Sequence, residues 1–255
     1  MIIDTHCHLS IEDYDDVSKV IENMGNNIMI VSGSDHKSNQ EVVMLCNKYK
    51  NIYGTLGIHP SAIDEYNLES INFIERNITN PKIVAIGEIG LDYYWTKDNK
   101  EEQKKIFIEQ INIAKKNNKP FVIHSRDAMD DIICILDLEM EHNMKAVMHC
   151  FIGNIDQANK LISMNVTLGI GGIVTFKNAK ELQEVVKVID LNKIILETDS
   201  PYLSPEPLRG KRNEPINTFI IANKIAEIKG TNIDEVIRVT TANATRIFDL
   251  NDTIW

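Results

Sequence analysis

A (β/α)8 barrel, the TIM-barrel class of α/β fold, is what this sequence predicts, and three observations carry the expectation. Short apolar runs alternate with amphipathic segments along the whole chain, with no linker-like stretch between them. Eight such runs can be counted, and they are apolar almost throughout, as in parallel strands covered on both faces. At 255 residues, 43% of them hydrophobic, the chain can bury one large core, and barrels of this length are ordinarily one domain. Residues 1–255 are therefore read as a single domain.

The expected strands are Met1 to Thr5, Asn27 to Ser32, Ile52 to Gly57, Lys82 to Gly87, Pro120 to Ile123, Ala146 to Met148, Val166 to Gly169 and Lys193 to Leu196. After the first, Ser10-Ile11-Glu12-Asp13 has the form of a capping box and predicts a helix to about Met24, which Gly25 would end. Between Glu101 and Lys116, the residues Phe107, Ile111 and Ala114 share one helical stripe, and Pro120 is tolerable as the first residue of the strand that follows. Asp156 to Met164 and Asn178 to Ile189 read as helices in the same way. After Asp199 comes a proline-rich loop from Ser200 to Glu214, then a helix opening at Pro215, where a proline is favoured. That helix buries Phe219, Ala222, Ile225 and Ala226 and closes at Gly230. Asn232 and Glu235 then start a last helix running to Phe248.

Composition excludes several function classes. No apolar stretch approaches the ~18 residues that cross a bilayer, and the N-terminus lacks the basic-then-apolar pattern of an export signal. No membrane partner and a cytoplasmic location are expected. Cys7, Cys46, Cys134 and Cys150 have neither CxxC spacing nor the density of a disulfide scaffold, so reduced thiols are expected. The formal charge of −10 is the wrong sign for coating duplex DNA through a broad basic surface. A phosphate-bearing ligand would have to be held locally, by metal and a few basic residues. No obligate protein partner is evident.

In such a barrel the active site lies at the carboxyl ends of the strands, so the residue terminating each apolar run is the informative one. The first run ends in His6 and His8, the third in His59, the fourth in Glu88, the fifth in His124, the sixth in His149 and the eighth in Asp199. Histidines two apart on a strand project from one face, close enough to share a cation. Five of the seven histidines fall on strand ends; His36 reads as a loop residue and His142 as a solvated one. Imidazoles and carboxylates gathered at one buried rim cost free energy unless paired or metal-bound, which favours a metal centre over a structural cluster.

The strings that carry these residues resemble the TatD family of metal-dependent deoxyribonucleases, within the amidohydrolase-like superfamily. They are Asp4-Thr5-His6-Cys7-His8, Gly57-Ile58-His59-Pro60, Gly87-Glu88-Ile89-Gly90-Leu91-Asp92-Tyr93, His124-Ser125-Arg126, His149-Cys150-Phe151, Glu197-Thr198-Asp199-Ser200-Pro201-Tyr202-Leu203, Arg212-Asn213-Glu214-Pro215 and Asn243-Ala244 with Phe248. The resemblance implies two divalent metal ions: His6 and His8 on one, His124 and His149 on the other, Glu88 bridging, and Asp199 completing the first ion's shell. Glu88 takes a place that a carboxylated lysine often fills elsewhere in the superfamily. Family members are usually described as Mg-dependent, whereas a mixed histidine and carboxylate shell suits Zn or Mn better; Mg, Mn and Zn all stay open.

The implied activity is hydrolysis of phosphodiester bonds in DNA, from single-stranded ends, by a metal-activated water. Asp199 would be general base as well as ligand, and Glu88 is catalytic through its bridge. His59 and Arg126 would hold substrate phosphate; for Arg126 a rim ion pair with Asp127 or Asp130 is the alternative. Glu197, two residues before Asp199, is expected to support a ligand histidine without binding metal itself. Arg209, Lys211 and Arg212 form a local basic patch on the proline-rich loop, and Asn213 to Pro215 are expected to fix that loop. Cys7 and Cys150 read as packing residues. Tyr93, Tyr94 and Trp95 would either stack on a nucleobase or form an apolar lid. The alternative function is hydrolysis of another ester, a lactone, an aminoacyl ester or a C–N bond on the same metals, because fold alone does not choose the bond.

Overall fold

The structure, a computed structural model, describes residues 1–95 and 98–250; residues 251–255, the end of the expected domain, lie outside them. Eight parallel strands pair in chain order: β1 (Ile3–Cys7), β2 (Ile28–Ser32), β3 (Ile52–Leu56), β4 (Ile83–Asp92), β5 (Phe121–Arg126), β6 (Ala146–Met148), β7 (Val166–Ile170) and β8 (Ile194–Leu196). The helices between and after them are α1 (Val17–Asn23), α2 (His36–Lys48), α3 (Leu68–Asn77), α4 (Lys100–Lys116), α5 (Met129–Glu139), α6 (Ile155–Ser163), α7 (Lys180–Val188), α8 (Thr218–Lys229) and α9 (Ile233–Phe248). This is the alternation of a (β/α)8 TIM barrel. No helix among the described residues is long and apolar enough to cross a membrane.

The circle closes between β8 and β1. Cys7 and Ser200 form a parallel bridge, the Asp199 amide donates to the His6 carbonyl at 2.9 Å, and the His8 amide donates to the Ser200 carbonyl at 2.7 Å. Asp4, fully buried, reinforces this seam by accepting from the Thr198 hydroxyl at 2.6 Å and the Thr198 amide at 2.9 Å. The segment carrying Asp199 is thereby held directly beside the one carrying His6 and His8.

Side chains two apart on a strand share a face. Ile30, Tyr53, Val122, Val147 and Ile195 precede Ser32, Thr55, His124, His149 and Glu197 by two, and they form one apolar cluster with Ala244, Ile247 and Phe248 of α9 and with Leu250. One end of the barrel interior is thus packed shut by α9, and the polar residues stand at the other. The outward faces pack under the helices in a larger cluster that includes Phe107, Ile111 and Ala114 of α4, the stripe expected from periodicity.

Several boundaries differ from expectation: β1 and β5 run on to Cys7 and Arg126, and His36, read as a loop residue, opens α2; two further differences have a clear cause. Ser10 does not open a helix: its hydroxyl accepts from the Glu12 amide and its carbonyl from the amides of Asp13 and Tyr14, closing a single turn. Tyr14 explains this, since it is buried and its hydroxyl donates to the Asn213 carbonyl at 2.8 Å, anchoring the turn to the loop after β8. α1 starts instead at Val17, with the Asp16 carboxylate accepting from the Lys19 amide.

β4 runs on past Gly87 to Asp92. The glycines that suggest a stop allow close approach here. Gly90 has φ +146°, and a Cβ at that position would lie 2.0 Å from the His124 carbonyl oxygen. Only glycine lets β4 lie against β5 there, and the pairing continues from Gly90 with His124 to Asp92 with Arg126.

Candidate metal centre

Glu88 sits at the middle of five imidazoles. Its Oε2 lies 3.5 Å from His6 Nε2 and 3.8 Å from His8 Nε2, and its Oε1 lies 2.8 Å from His124 Nδ1, 3.2 Å from His149 Nε2 and 3.8 Å from His59 Nε2. Each carboxylate oxygen therefore faces a different histidine pair. Asp199 approaches from the β8 side, with Oδ1 3.5 Å from His8 Nε2 and 3.7 Å from His6 Nε2. Its φ of +55° is a left-handed conformation that few residue types adopt readily, and aspartate is among those that do.

The protonation pattern follows from crowding donors and acceptors in a buried place. Burial alone would raise Glu88, yet His149, His59 and His6 outweigh it and hold the carboxyl well below its usual range. Asp199 is also held low, because His8 and the neighbouring imidazoles outweigh burial. Burial pulls His149 down, but Glu197 and Glu88 override that and carry it up to about 10. Burial dominates at His59 and lowers it to about 3.

Each imidazole is braced from behind. Ser32 serves both members of the β1 pair: its Oγ lies 3.2 Å from His6 Nδ1 and its carbonyl 3.0 Å from His8 Nδ1. Carboxylates serve the other two: Asp92 Oδ2 lies 3.2 Å from His124 Nε2 in a hydrogen bond, and Glu197 Oε1 lies 3.2 Å from His149 Nδ1 as an ion-pair contact without hydrogen-bond alignment. Glu197 is fully buried and also accepts from the Cys150 amide at 2.6 Å. Gly169 makes its room, since a Cβ there would come within 2.3 Å of Glu197 Oε2.

His59 is set apart from the other four histidines. Its Nδ1 accepts from the Ser61 amide at 3.0 Å, so in the neutral ring the proton sits on Nε2, the nitrogen facing Glu88. His59 thus offers a hydrogen-bond donor to the site and no lone pair. Arg126 lies at the rim, where its guanidinium stacks on Tyr94 at 3.8 Å from the ring centroid and reaches Trp95 at 5.5 Å. Among the described residues it pairs with neither Asp127 nor Asp130. A cavity of about 640 Å³ opens here, lined by metal-centre residues on one side and by Trp95, Arg126, Ile152 and Tyr202 on the other.

Comparison with known proteins agrees with this geometry. The family model described as TatD related DNase matches residues 3–249. The chain belongs to the TatD family. It is 41% identical over 255 residues to the uncharacterized metal-dependent hydrolase YabD of Bacillus subtilis, covering 98% of this chain and 100% of that one. It is 34% identical over 261 residues to the uncharacterized metal-dependent hydrolase YcfH of Escherichia coli K12, covering 98% and 96%. The crystal structure of the TatD homologue YjjV from E. coli K12 superposes with a TM-score of 0.89 at 26% identity, covering 97% of this chain and 98% of that chain. The chain is accordingly a metal-dependent hydrolase.

The donor set suits what TatD relatives are named for. Ligand bonds of ~2.0–2.1 Å in a tetrahedral shell put neighbouring donor atoms about 3.3–3.4 Å apart. His6 Nε2 and His8 Nε2 are 3.3 Å apart, and their distances to Glu88 and Asp199 run from 3.5 to 3.8 Å. Groupings able to hold a cation include His6 with His8 and Glu88, His6 with His149 and Asp199, and Glu88 with His124 and His149. Every ligand position expected from the sequence is thus in one cluster.

Sequence reading gave no role to two residues of this TatD site. Ser32 ends β2 and carries no side chain usually associated with metal. Asp92 is 4% exposed and lies beside His124; its signal was present in the Gly-Leu-Asp-Tyr string, but a strand ending at Gly87 places it on a distant loop. Tyr93 turns inward, its hydroxyl donating to Asp131 at 2.7 Å, while Tyr94 and Trp95 stay exposed. Asn213 ties the loop after β8 in place by donating to the carbonyls of Thr198 and Tyr202.

Proposed function

We propose that this TatD hydrolase cleaves phosphodiester bonds in DNA, releasing nucleotides from single-stranded ends, with two divalent ions held by His6, His8, Glu88, His124, His149 and Asp199. The observation that carries the reading is Glu88, whose two oxygens face two histidine pairs beside an open cavity. A carboxylate shared in this way supports two adjacent cations, which when bound clamp phosphoryl oxygens and acidify water.

The chain's own residues do the rest. Asp199, kept ionised by its imidazole neighbours, takes the proton of the attacking water as the new O–P bond forms and the P–O bond to the departing sugar breaks, and the departing sugar oxygen takes a proton from solvent. His59 holds a non-bridging phosphate oxygen through Nε2–H. Arg126, fixed by stacking, adds a charged donor at the rim. Glu197 keeps His149 oriented. The exposed rings of Tyr94, Trp95 and Tyr202 suit an unstacked base at a strand end better than a duplex, and a net charge of −10 gives no broad surface for duplex binding. All four cysteines are free thiols, in keeping with a cytoplasmic setting.

A second reading is favoured by Ile152, Ile173, Tyr202 and Leu203 on the cavity wall, which suit a compact neutral ester, lactone, aminoacyl ester or amide-like C–N bond. A panel of single-stranded oligonucleotide, generic phosphodiester and aryl ester, each with and without chelator, separates the two. Nucleotide release that chelator abolishes supports the nuclease. Rapid ester hydrolysis with intact DNA replaces it with the second reading.

A further inference from the structure

Three histidines of the centre, His6, His8 and His149, turn Nε2 toward the carboxylates and Nδ1 toward their braces. His124 is reversed: Nδ1 is the nitrogen 2.8 Å from Glu88 Oε1, and Nε2 points away, 3.2 Å from Asp92 Oδ2. A ring that must present the opposite nitrogen needs something to hold it in that orientation and tautomer. We infer that Asp92 is a positioning residue: it holds the proton of His124 on Nε2, so that Nδ1 keeps its lone pair for a cation. The inference rests on reading His124 as a metal ligand.

Asp92 is built for a fixed role. Its backbone is clamped by the buried Gln103 of α4, whose side chain accepts from the Asp92 amide at 2.9 Å and donates to the Asp92 carbonyl at 3.0 Å. Its Oδ1 accepts from the Tyr94 amide at 2.9 Å. Oδ2 is the oxygen that faces His124, and the Trp95 amide adds a further contact to the carboxylate. Both ring nitrogens of His124 face carboxylate oxygens, which only accept, so both carry hydrogen while no cation is bound; a cation taken up at Nδ1 would displace that hydrogen alone, and Asp92 would keep the other on Nε2. The same arrangement links β4 to the aromatic rim, because Tyr94, which Asp92 holds by its amide, is the ring on which Arg126 stacks.

A competing use of the same atoms is a further cation among His59, Asp92 and His124, whose donor atoms lie within 4.8 Å of one another. His59 argues against it. With Nδ1 occupied by the Ser61 amide, its inward Nε2 carries the proton and has no lone pair to give.

Long-range proton–nitrogen NMR on 15N-histidine protein loaded with zinc tests this directly. The wild type is expected to show His124 metal-bound at Nδ1 and protonated at Nε2. In Asp92→Asn the Tyr94 amide still claims the acceptor oxygen, and the amide nitrogen that replaces Oδ2 is a donor. His124 is then expected to move its proton to Nδ1, and zinc affinity at the His124/His149 site to fall about 10–100-fold, with the His6/His8 site unchanged. His124 bound through Nε2, or an Asp92→Asn protein with unaltered tautomer and affinity, overturns the role of Asp92. A wild type that takes up one more zinc than Asp92→Asn, lost from His59, also overturns it. His124 free of metal in the wild type overturns instead the ligand assignment beneath it. The wild-type spectrum decides the tautomer even if the variant fails to fold.

Discussion

His6 of β1 and His149, the residue after β6, stack with ring centroids 3.8 Å apart and planes inclined by 23°. The two histidine pairs are therefore halves of one cluster, and the residue between them, Glu88, cannot be changed without affecting both.

Glu88→Gln keeps shape and removes the shared charge, so two-ion occupancy is expected to fall. His59→Ala is expected to leave metal content unchanged and to lower kcat/KM by about one to two powers of ten, the ~1.5–3 kcal/mol of one charge-assisted contact. Elemental analysis beside steady-state kinetics checks both. Full occupancy in the first variant, or metal loss in the second, reverses the assignments.

Cation binding is expected to release protons. In the metal-free protein His149 titrates at about 10, so at pH 8 it is charged, whereas a ligand imidazole must be neutral. Calorimetry in buffers of different ionisation enthalpy should register about one proton or more per chain. No release would mean that His149 is already neutral.

The same group sets the alkaline stability of the metal-free form. A histidine raised above its unfolded value of ~6.5 stabilises fully below that pH and loses the contribution as pH climbs through about 10. Glu88 and Asp199, both lowered, act in the opposite sense and lose theirs as pH falls below the ordinary carboxylate range. Melting temperature against pH should therefore decline on both sides of neutrality, and a flat alkaline limb would contradict the His149 assignment.

Trp95→Ala removes an exposed ring from the cavity wall. If it stacks on a base, KM for an oligonucleotide rises about tenfold, within the ~1–3 kcal/mol of one stacking contact, and a small phosphodiester without a base is unaffected. Equal loss on both substrates would mark the ring as part of an apolar lid.

Gly90→Ala forces a Cβ to within 2.0 Å of the His124 carbonyl at φ +146°. More than ~3 kcal/mol of destabilisation is expected, read by denaturant unfolding. A near-neutral change would mean that β4 and β5 can part without cost to the fold.

Strand ends are readable from the chain because burial on both faces leaves a continuous apolar run, and the few polar residues that follow it mark the mouth; this locates His6, His8, His59, Glu88, His124, His149 and Asp199 from the sequence alone. Periodicity is a local property, however, and contacts between distant strands are not. Whether Gly90 ends a strand or lets it lie against β5 depends on the backbone of His124, thirty-odd residues on, and so Asp92 came to light only when β4 and β5 were side by side. Arg126 chose the rings of Tyr94 and Trp95 over its neighbouring aspartates because β4 carries those rings beside it. Ser10 lost its helix to Tyr14, which found a carbonyl at Asn213 on the other side of the barrel seam. Which nitrogen of each imidazole faces the centre was likewise settled by tertiary structure, since a ring's orientation is set by the brace behind it and not by its place in the chain.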